Sequence, residues 1–537
     1  MVGRKVRAKT GRPQVQSPRP AEHPRIFVSI AAYRDSECAP TVADMFGKAN
    51  RPDRVFAGIC WQAIPGEDDA LFPPEVRPPQ CRVVEVDARE TKGACWARSL
   101  VQSLWQGEEY TLQIDSHMRF EPGWDDLLLE MLAACPSERP LISTYPPDYF
   151  PPDQLNPPTV AVMVAKEFDT DGILRPAGNI LAPEDVPLVP RVNPFCAAGF
   201  LFGPSAVLAD VPYDPHLYFL GEEITLAVRL YTHGWDIFTP TRAVVYHDYT
   251  KRPGRRRHWD DNGHWIRINQ LSLARIRHLL EMEETDDPEA LLQIDRYGLG
   301  RRRSLAEFQA FSGVDFRNRL INGKTTDELE AARPEPERRA RVKEAFTDIW
   351  TRNAWGSEET RSGDGASLAR TEAIRAALPG LLDFLGIRIL ADAGCGEFNW
   401  MGDVAAGLRM YLGYDVADPL VADLRGKHGG RRGHFFTGAD IVHDVLAEAD
   451  AILCRDVLTH LPHWMVQAAL ARFRESGSRY LIATTHPGGE NRVIRLGDWH
   501  AVNLEAPPFS LPPPRLLLDE KLPGSVKSLG VWRLADL

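Results

Sequence analysis

The chain has 537 residues, with 63 Lys and Arg against 74 Asp and Glu, and 44% of its residues are hydrophobic. That length exceeds what one hydrophobic core usually organises, so two or more domains are expected, and a net charge of −11 disfavours a general nucleic-acid binder. The eight cysteines form no CxxC pair and no apolar run reaches membrane-spanning length, which speaks against a zinc knuckle, a disulfide framework and a transmembrane segment.

Residues 1–24 are basic and proline-rich but lack the apolar core of a secretory signal. They read as a disordered leader on a cytoplasmic protein. Ordered pattern begins with an apolar strand and turn at Arg25–Asp35. Further strand candidates are Arg54–Gln62, Cys81–Ala88 and "TLQIDS", with a helical pattern at Gly93–Gly107. Strands alternating with helices predict an α/β unit with a mostly parallel sheet. Tyr145–Pro194 is rich in proline and is expected to form loops. Regular pattern resumes at "FCAAGFLFGP" and runs through "GEEITLAVRLYTHGWDIFTPTRAVVYHDY" as helix, strand, turn and strand. Residues 321–343, dense in Glu and Arg, read as an exposed helical linker. From 344 to 537 a second α/β pattern follows, opening with "IRILADAGCGEFNW" and four further strand candidates.

In "TLQIDSHMRF", Asp115 and His117 stand two positions apart at the end of a strand, so both face one side. Such a pair can grip one divalent cation and leave positions open for a diphosphate. A capping Asp beside a surface His would read the same way. His247, at the end of the apolar run "AVVYHDY", is the candidate third ligand. Tyr33, Arg34 and Asp35 follow the first strand, where open α/β sheets bind ligands, and are candidates to contact a nucleotide. Gly199 permits close approach of backbone to a ligand. Glu222 and Glu223 follow Gly221 at a helix start, either as dipole stabilisers or to orient sugar or acceptor. The basic stretch "KRPGRRRHW", with Arg255 and Arg257, is a candidate to neutralise a leaving diphosphate.

These segments, with "GWDDLL" and "RYGLGRRRSLAEFQAFSGVDF", make residues 25–320 resemble the GlcNAc-transferase family of cytoplasmic hydroxyproline-modifying enzymes and its bacterial relatives. The resemblance implies a GT-A-type nucleotide-sugar fold and a UDP-GlcNAc donor. It implies a Mn²⁺ or Mg²⁺ ion on Asp115, His117 and His247, and transfer with retention to a hydroxyl of a protein or glycan.

In the second pattern, Asp392, Gly394 and Gly396 follow a strand, and the glycines allow a tight turn beneath a bound nucleoside. No GK[ST] ending marks a phosphate loop, and Asn399 stands where a dinucleotide fingerprint needs its third glycine. Asp415 is placed for ribose hydroxyls, Asp440 for the adenine amine, and Arg455 and Asp456 lie at the mouth of the fourth strand. His460, Arg455 and Asp456 are candidates to contact a methyl acceptor. The region resembles the Rossmann-like class I S-adenosylmethionine-dependent methyltransferases. Together the two halves suggest a bifunctional glycosyltransferase and methyltransferase; the alternative is a glycosyltransferase whose second domain only binds.

Overall fold

The computed structural model describes residues 24–250 and 255–537. They fall into two compact units, one formed by residues up to 167 with 173–322, the other by 168–172 with 323–537. The leader, Lys251 and Arg252 lie outside the described residues.

The first unit is built on a sheet of β1 (Ile26–Tyr33), β2 (Val55–Ala63), β3 (Cys81–Asp87), β4 (Tyr110–Asp115), β5 (Pro140–Ser143), β6 (Arg191–Asn193), β7 (Phe200–Pro204) and β8 (Asp236–Thr239). Their order across the sheet is β6-β8-β5-β7-β4-β1-β2-β3. β1 runs parallel to β2 and β4, and β7 is antiparallel to β4. Parallel strands covered on both faces are apolar throughout, and Ile26, Phe27, Val28 and Ile30 are all fully buried. Helices α1 (Cys38–Lys48), α2 (Ala94–Gln102) and α3 (Glu222–Thr232) belong to this unit. The carboxyl ends of β1 and β4 meet side by side, with Ala31 opposite Asp115.

The proline-rich stretch is more regular than expected. Ala161–Phe168 and Leu174–Ile180 pair as a small sheet, and β6 closes the edge of the main one. Buried Met163 and Phe168 supply the apolar anchor for the first of these strands, which the surrounding prolines mask in the sequence.

The second unit carries β9 (Ile389–Ala393), β10 (Met410–Asp415), β11 (His434–Gly438), β12 (Ala451–Cys454), β13 (Tyr480–Thr485), β14 (Leu516–Asp519) and β15 (Ser528–Arg533). The order is β11-β10-β9-β12-β13-β15-β14. The first five are parallel and β15 is antiparallel to both neighbours. This is a doubly wound Rossmann-like sheet of the class I methyltransferase type, with its crevice beyond the carboxyl ends of β9 and β12 where strand order reverses. The charged stretch expected as a linker is helical, but it counts with the second unit. Its long helix α4 (Glu335–Arg352) buries Val342 in that unit's core. Mixed charge marks the solvated face of this helix, while one apolar stripe packs.

Candidate active sites

The first site forms where β4 ends. Asp115 closes the strand, and His117 follows in the turn. His247 arrives by pairing: Val245–His247 lies antiparallel to Met118–Phe120, with His247 opposite Met118. Its Nε2 stands 3.0 Å from His117 Nε2 and 3.1 Å from Asp115 Oδ2. One atom from each of the three half-buried side chains lies within 4.8 Å of the others. Gly199 abuts this cluster. A Cβ there would come 2.6 Å from Asp115 Oδ2, so a larger residue would displace the carboxylate.

Support comes from behind. Buried Asp35 accepts from Ser116 Oγ at 2.6 Å and stands 2.7 Å from His117 Nδ1. A carboxylate only accepts, so Nδ1 carries the proton and Nε2 keeps its lone pair. Carboxylate–imidazole pairs of this kind orient metal-binding histidines. Burial opposes the charge on Asp35, but His117 and Ser116 outweigh it and hold the carboxyl down to about 2. Arg98 on α2 is also buried and donates to Asp115 Oδ1 at 2.7 Å. Burial disfavours the charge of Asp115, yet Arg98 and His247 more than offset it and hold its carboxyl well below the usual range. Burial lowers the pKa of His247. Asp115 is therefore ionised at neutral pH, as cation binding requires, and burial favours the neutral ring of His247. One carboxylate and two imidazoles suit a divalent ion such as Mn²⁺, with positions left for other oxygens.

The other expected residues separate by role. Glu222 is enclosed: Cys95 Sγ donates to it at 2.9 Å and Tyr213 at 3.1 Å, and Arg98 lies 4.0 Å away. Its charge is set against that of Arg98. Glu223 accepts from the Ala198 N–H at 2.9 Å and from the Tyr145 hydroxyl, and burial pushes its carboxyl up to about 7. Arg34, at φ 48°, is bound by Glu67, Asp68 and Asp261, and Tyr33 donates to Asp261 at 3.1 Å. Asp35, a candidate to contact a nucleotide, bonds Ser116 and His117. Arg255 brings Nη2 to 2.7 and 2.5 Å from the two ring nitrogens of His117. Arg257 is exposed and lies over the Trp259 ring at 5.5 Å. Arg98 was not anticipated; its signal is a single arginine on the buried side of "ACWARSLVQ".

The second site is a cavity of about 370 Å³ that all six expected residues line: Asp392, Gly394, Gly396, Asp415, Asp440 and Asp456. Gly394 (φ 85°) and Gly396 (φ 53°) form its floor. A Cβ on Gly394 would meet Val457 at 2.3 Å, and one on Gly396 would meet Ser362 at 2.5 Å. Asp415 accepts from the Gly396 N–H at 3.2 Å. Burial raises the carboxyl of Asp392 to about 7 despite a 2.6 Å bond from the Tyr411 hydroxyl. Asp440 accepts from the Val442 N–H at 3.0 Å and bonds His443 Nδ1 at 2.6 Å, while still lining the cavity. Asp456 sits at φ 58° and pairs with Lys527 and Arg455. Glu397, one residue past the glycine loop, ties a wall in place. It accepts from Thr360 and the Arg361 N–H at 2.8 Å each and from Trp350 at 3.1 Å. The volume and the glycine floor fit a nucleoside-bearing cofactor such as S-adenosylmethionine.

Fold and site together define a first unit with a glycosyltransferase-type cleft and a second unit of Rossmann-like fold. Residues 25–87 and 73–318 match the profile described as Glycosyltransferase (GlcNAc). That is more than half of the chain, and the protein belongs to this family of glycosyltransferases. No curated protein matches significantly. Among solved structures, GalNAc-T7 with UDP, GalNAc and Mn²⁺ is 13% identical over 54% of this chain and 57% of its own, with a TM-score of 0.38. Magnesium protoporphyrin IX methyltransferase from Synechocystis PCC 6803 with bound SAH is 19% identical over 29% of this chain and 74% of its own, at 0.23. N-methyltransferase NodS from Bradyrhizobium japonicum WM9 is 16% identical over 22% and 66%, at 0.19. No helix among the described residues is long and apolar enough to cross a membrane.

Proposed function

We propose that the chain is a bifunctional enzyme. Its first domain transfers GlcNAc from UDP-GlcNAc to a hydroxyl with retention, and its second methylates a glycan or related acceptor from S-adenosylmethionine. The observation that carries this reading is the presence in one chain of the Asp115–His117–His247 cluster and the cavity lined by Asp392, Gly394, Gly396 and Asp415.

In the first domain Asp115, His117 and His247 would hold Mn²⁺ or Mg²⁺. The bound ion supplies Lewis-acid stabilisation of the departing diphosphate. Arg255, against His117, is positioned to add positive charge at the same place. Asp35 and Arg98 keep the ligand set oriented and ionised. The cluster contains no carboxylate poised as a covalent nucleophile, since Asp115 is held by Arg98 and His247, so we favour front-face transfer in which the acceptor hydroxyl is positioned for attack. Glu223, half-buried and bonded to Tyr145, is the better of the two glutamates to orient a sugar. In the second domain the glycine floor takes the nucleoside and Asp415 the ribose. The tether raises the effective concentration of one product near the other domain.

Asp115→Ala and Gly394→Arg variants of the full chain test the reading. The first is expected to lose UDP-GlcNAc turnover by at least about 100-fold, as removal of a catalytic electrostatic group does, and to keep methyl transfer. The second is expected to do the reverse. Sugar transfer by the parent without any methyl transfer from S-adenosylmethionine leaves a glycosyltransferase whose second domain only binds.

A further inference from the structure

In the second unit the turn Leu458–His460 carries His460 to the cavity wall. Its Nδ1 lies 2.9 Å from the carbonyl oxygen of Asp498. A carbonyl only accepts, so Nδ1 holds the proton and Nε2 keeps a lone pair. Nε2 has no hydrogen-bond partner among the described residues. Trp355 stacks on the ring, with centroids 4.5 Å apart and planes 27° from parallel, which fixes its plane. Burial lowers the imidazole pKa, against the raising effect of Asp456 and with that of Lys527, so the ring is neutral at pH 7.

The charges beside it cancel. Arg455 bonds Glu520 at 3.0 and 2.8 Å, while Lys527 pairs with Asp456 and lies 3.2 Å from Glu520. Two cations and two carboxylates leave this wall no net charge to draw an ionised acceptor. A carboxylate acceptor would need no base at all. Trp355 and Trp499 add aromatic faces to the same cavity, and Trp499 is 60% exposed. Flat apolar rings of this kind suit the C–H face of a sugar.

We propose that His460 is the general base for methylation of a neutral sugar hydroxyl, the sugar resting against Trp355 and Trp499. The proposal rests on the reading that the cavity takes S-adenosylmethionine. The hydroxyl oxygen bonds to the methyl carbon and the carbon–sulfur bond breaks with its electron pair going to sulfur. The hydroxyl proton passes to His460 Nε2 and from there to solvent.

The test uses the full chain and its His460→Gln, Trp355→Ala and Trp499→Ala variants. Calorimetry with S-adenosylhomocysteine, tryptophan fluorescence with N,N′-diacetylchitobiose, and transfer of labelled methyl to that sugar are measured on each. His460→Gln is expected to bind S-adenosylhomocysteine like the parent and to lose transfer by about 10²- to 10⁴-fold, the usual worth of a positioned base. The tryptophan variants are expected to lose sugar binding and keep the heat of S-adenosylhomocysteine. Nitrogen-15 shifts of the parent imidazole are expected to report the Nδ1–H form. Undiminished transfer by His460→Gln, an Nε2–H tautomer, or a parent that binds S-adenosylhomocysteine but neither binds nor methylates the sugar overturns the assignment alone. No heat with the parent removes the underlying reading of the cavity, and this assignment with it.

Discussion

Asp35 stands 82 positions before His117 in sequence and 2.7 Å from its ring nitrogen in space. Strand alternation points to Asp115 and His117, and a second strand end points to His247. Nothing local points to the carboxylate that sets the histidine's tautomer, because only the parallel pairing of β1 with β4 brings it there. Asp35→Asn is expected to weaken Mn²⁺ binding by about 10- to 100-fold, the range for such supporting partners, with the thermal transition retained; unchanged affinity by calorimetry would remove Asp35 from the site. Arg98 was equally hidden, since a buried arginine on an apolar helix looks like an error of pattern until its two acids are seen. His500 makes a different point. Both its ring nitrogens are buried without a partner, and burial, with His463, His486 and His460, lowers its pKa to about 4. The unfolded chain takes up a proton on this residue near pH 6.5, while the folded chain does not. Its contribution to stability is therefore full above pH 6.5 and is lost as the pH falls towards 4. The drop in melting temperature between pH 7.5 and 5.0 is expected to be smaller in His500→Phe than in the parent.

The elements were more legible than the contacts between them. Strands β1, β2, β4, β9, β10, β12 and β13 announce themselves as largely apolar runs, because buried parallel strands have no polar face to confuse the pattern. The short strand Ala161–Phe168 was lost among prolines, and α4 was read as solvated because charge covers most of its surface. The glycine loop after β9 was clear in its residues but not in its partner. Glu397 anchors Thr360, Arg361 and Trp350 through both carboxylate oxygens, and its neighbours give no hint of that. Hydrogen bonds to a charged group are worth roughly 1.5–3 kcal/mol. Glu397→Gln is thus expected to loosen this wall and to weaken S-adenosylhomocysteine binding by about 10-fold or more. Equal affinity in the variant would make the wall incidental to the ligand.

For the whole molecule, the motifs place the Asp115–His117–His247 cluster in the first unit and the glycine-floored cavity in the second, while the walls proposed to receive an acceptor are assembled from distant segments. Trp355 and Trp499, which join His460 in the cavity wall, are an example. The two units also differ in how portable they are. Val342, Phe346, Ile349 and Trp350 of α4 line the cavity of the second unit, although that helix precedes its first strand by more than thirty residues. A truncation starting at residue 344 would keep every recognisable motif and discard the opening turns of α4 together with Val342. Such a fragment, grafted onto another enzyme or assayed alone, would fail for want of a wall rather than of a catalytic group. The unit's long continuous stretch begins at Gly323, well before residue 344, and the unit also takes in residues 168–172.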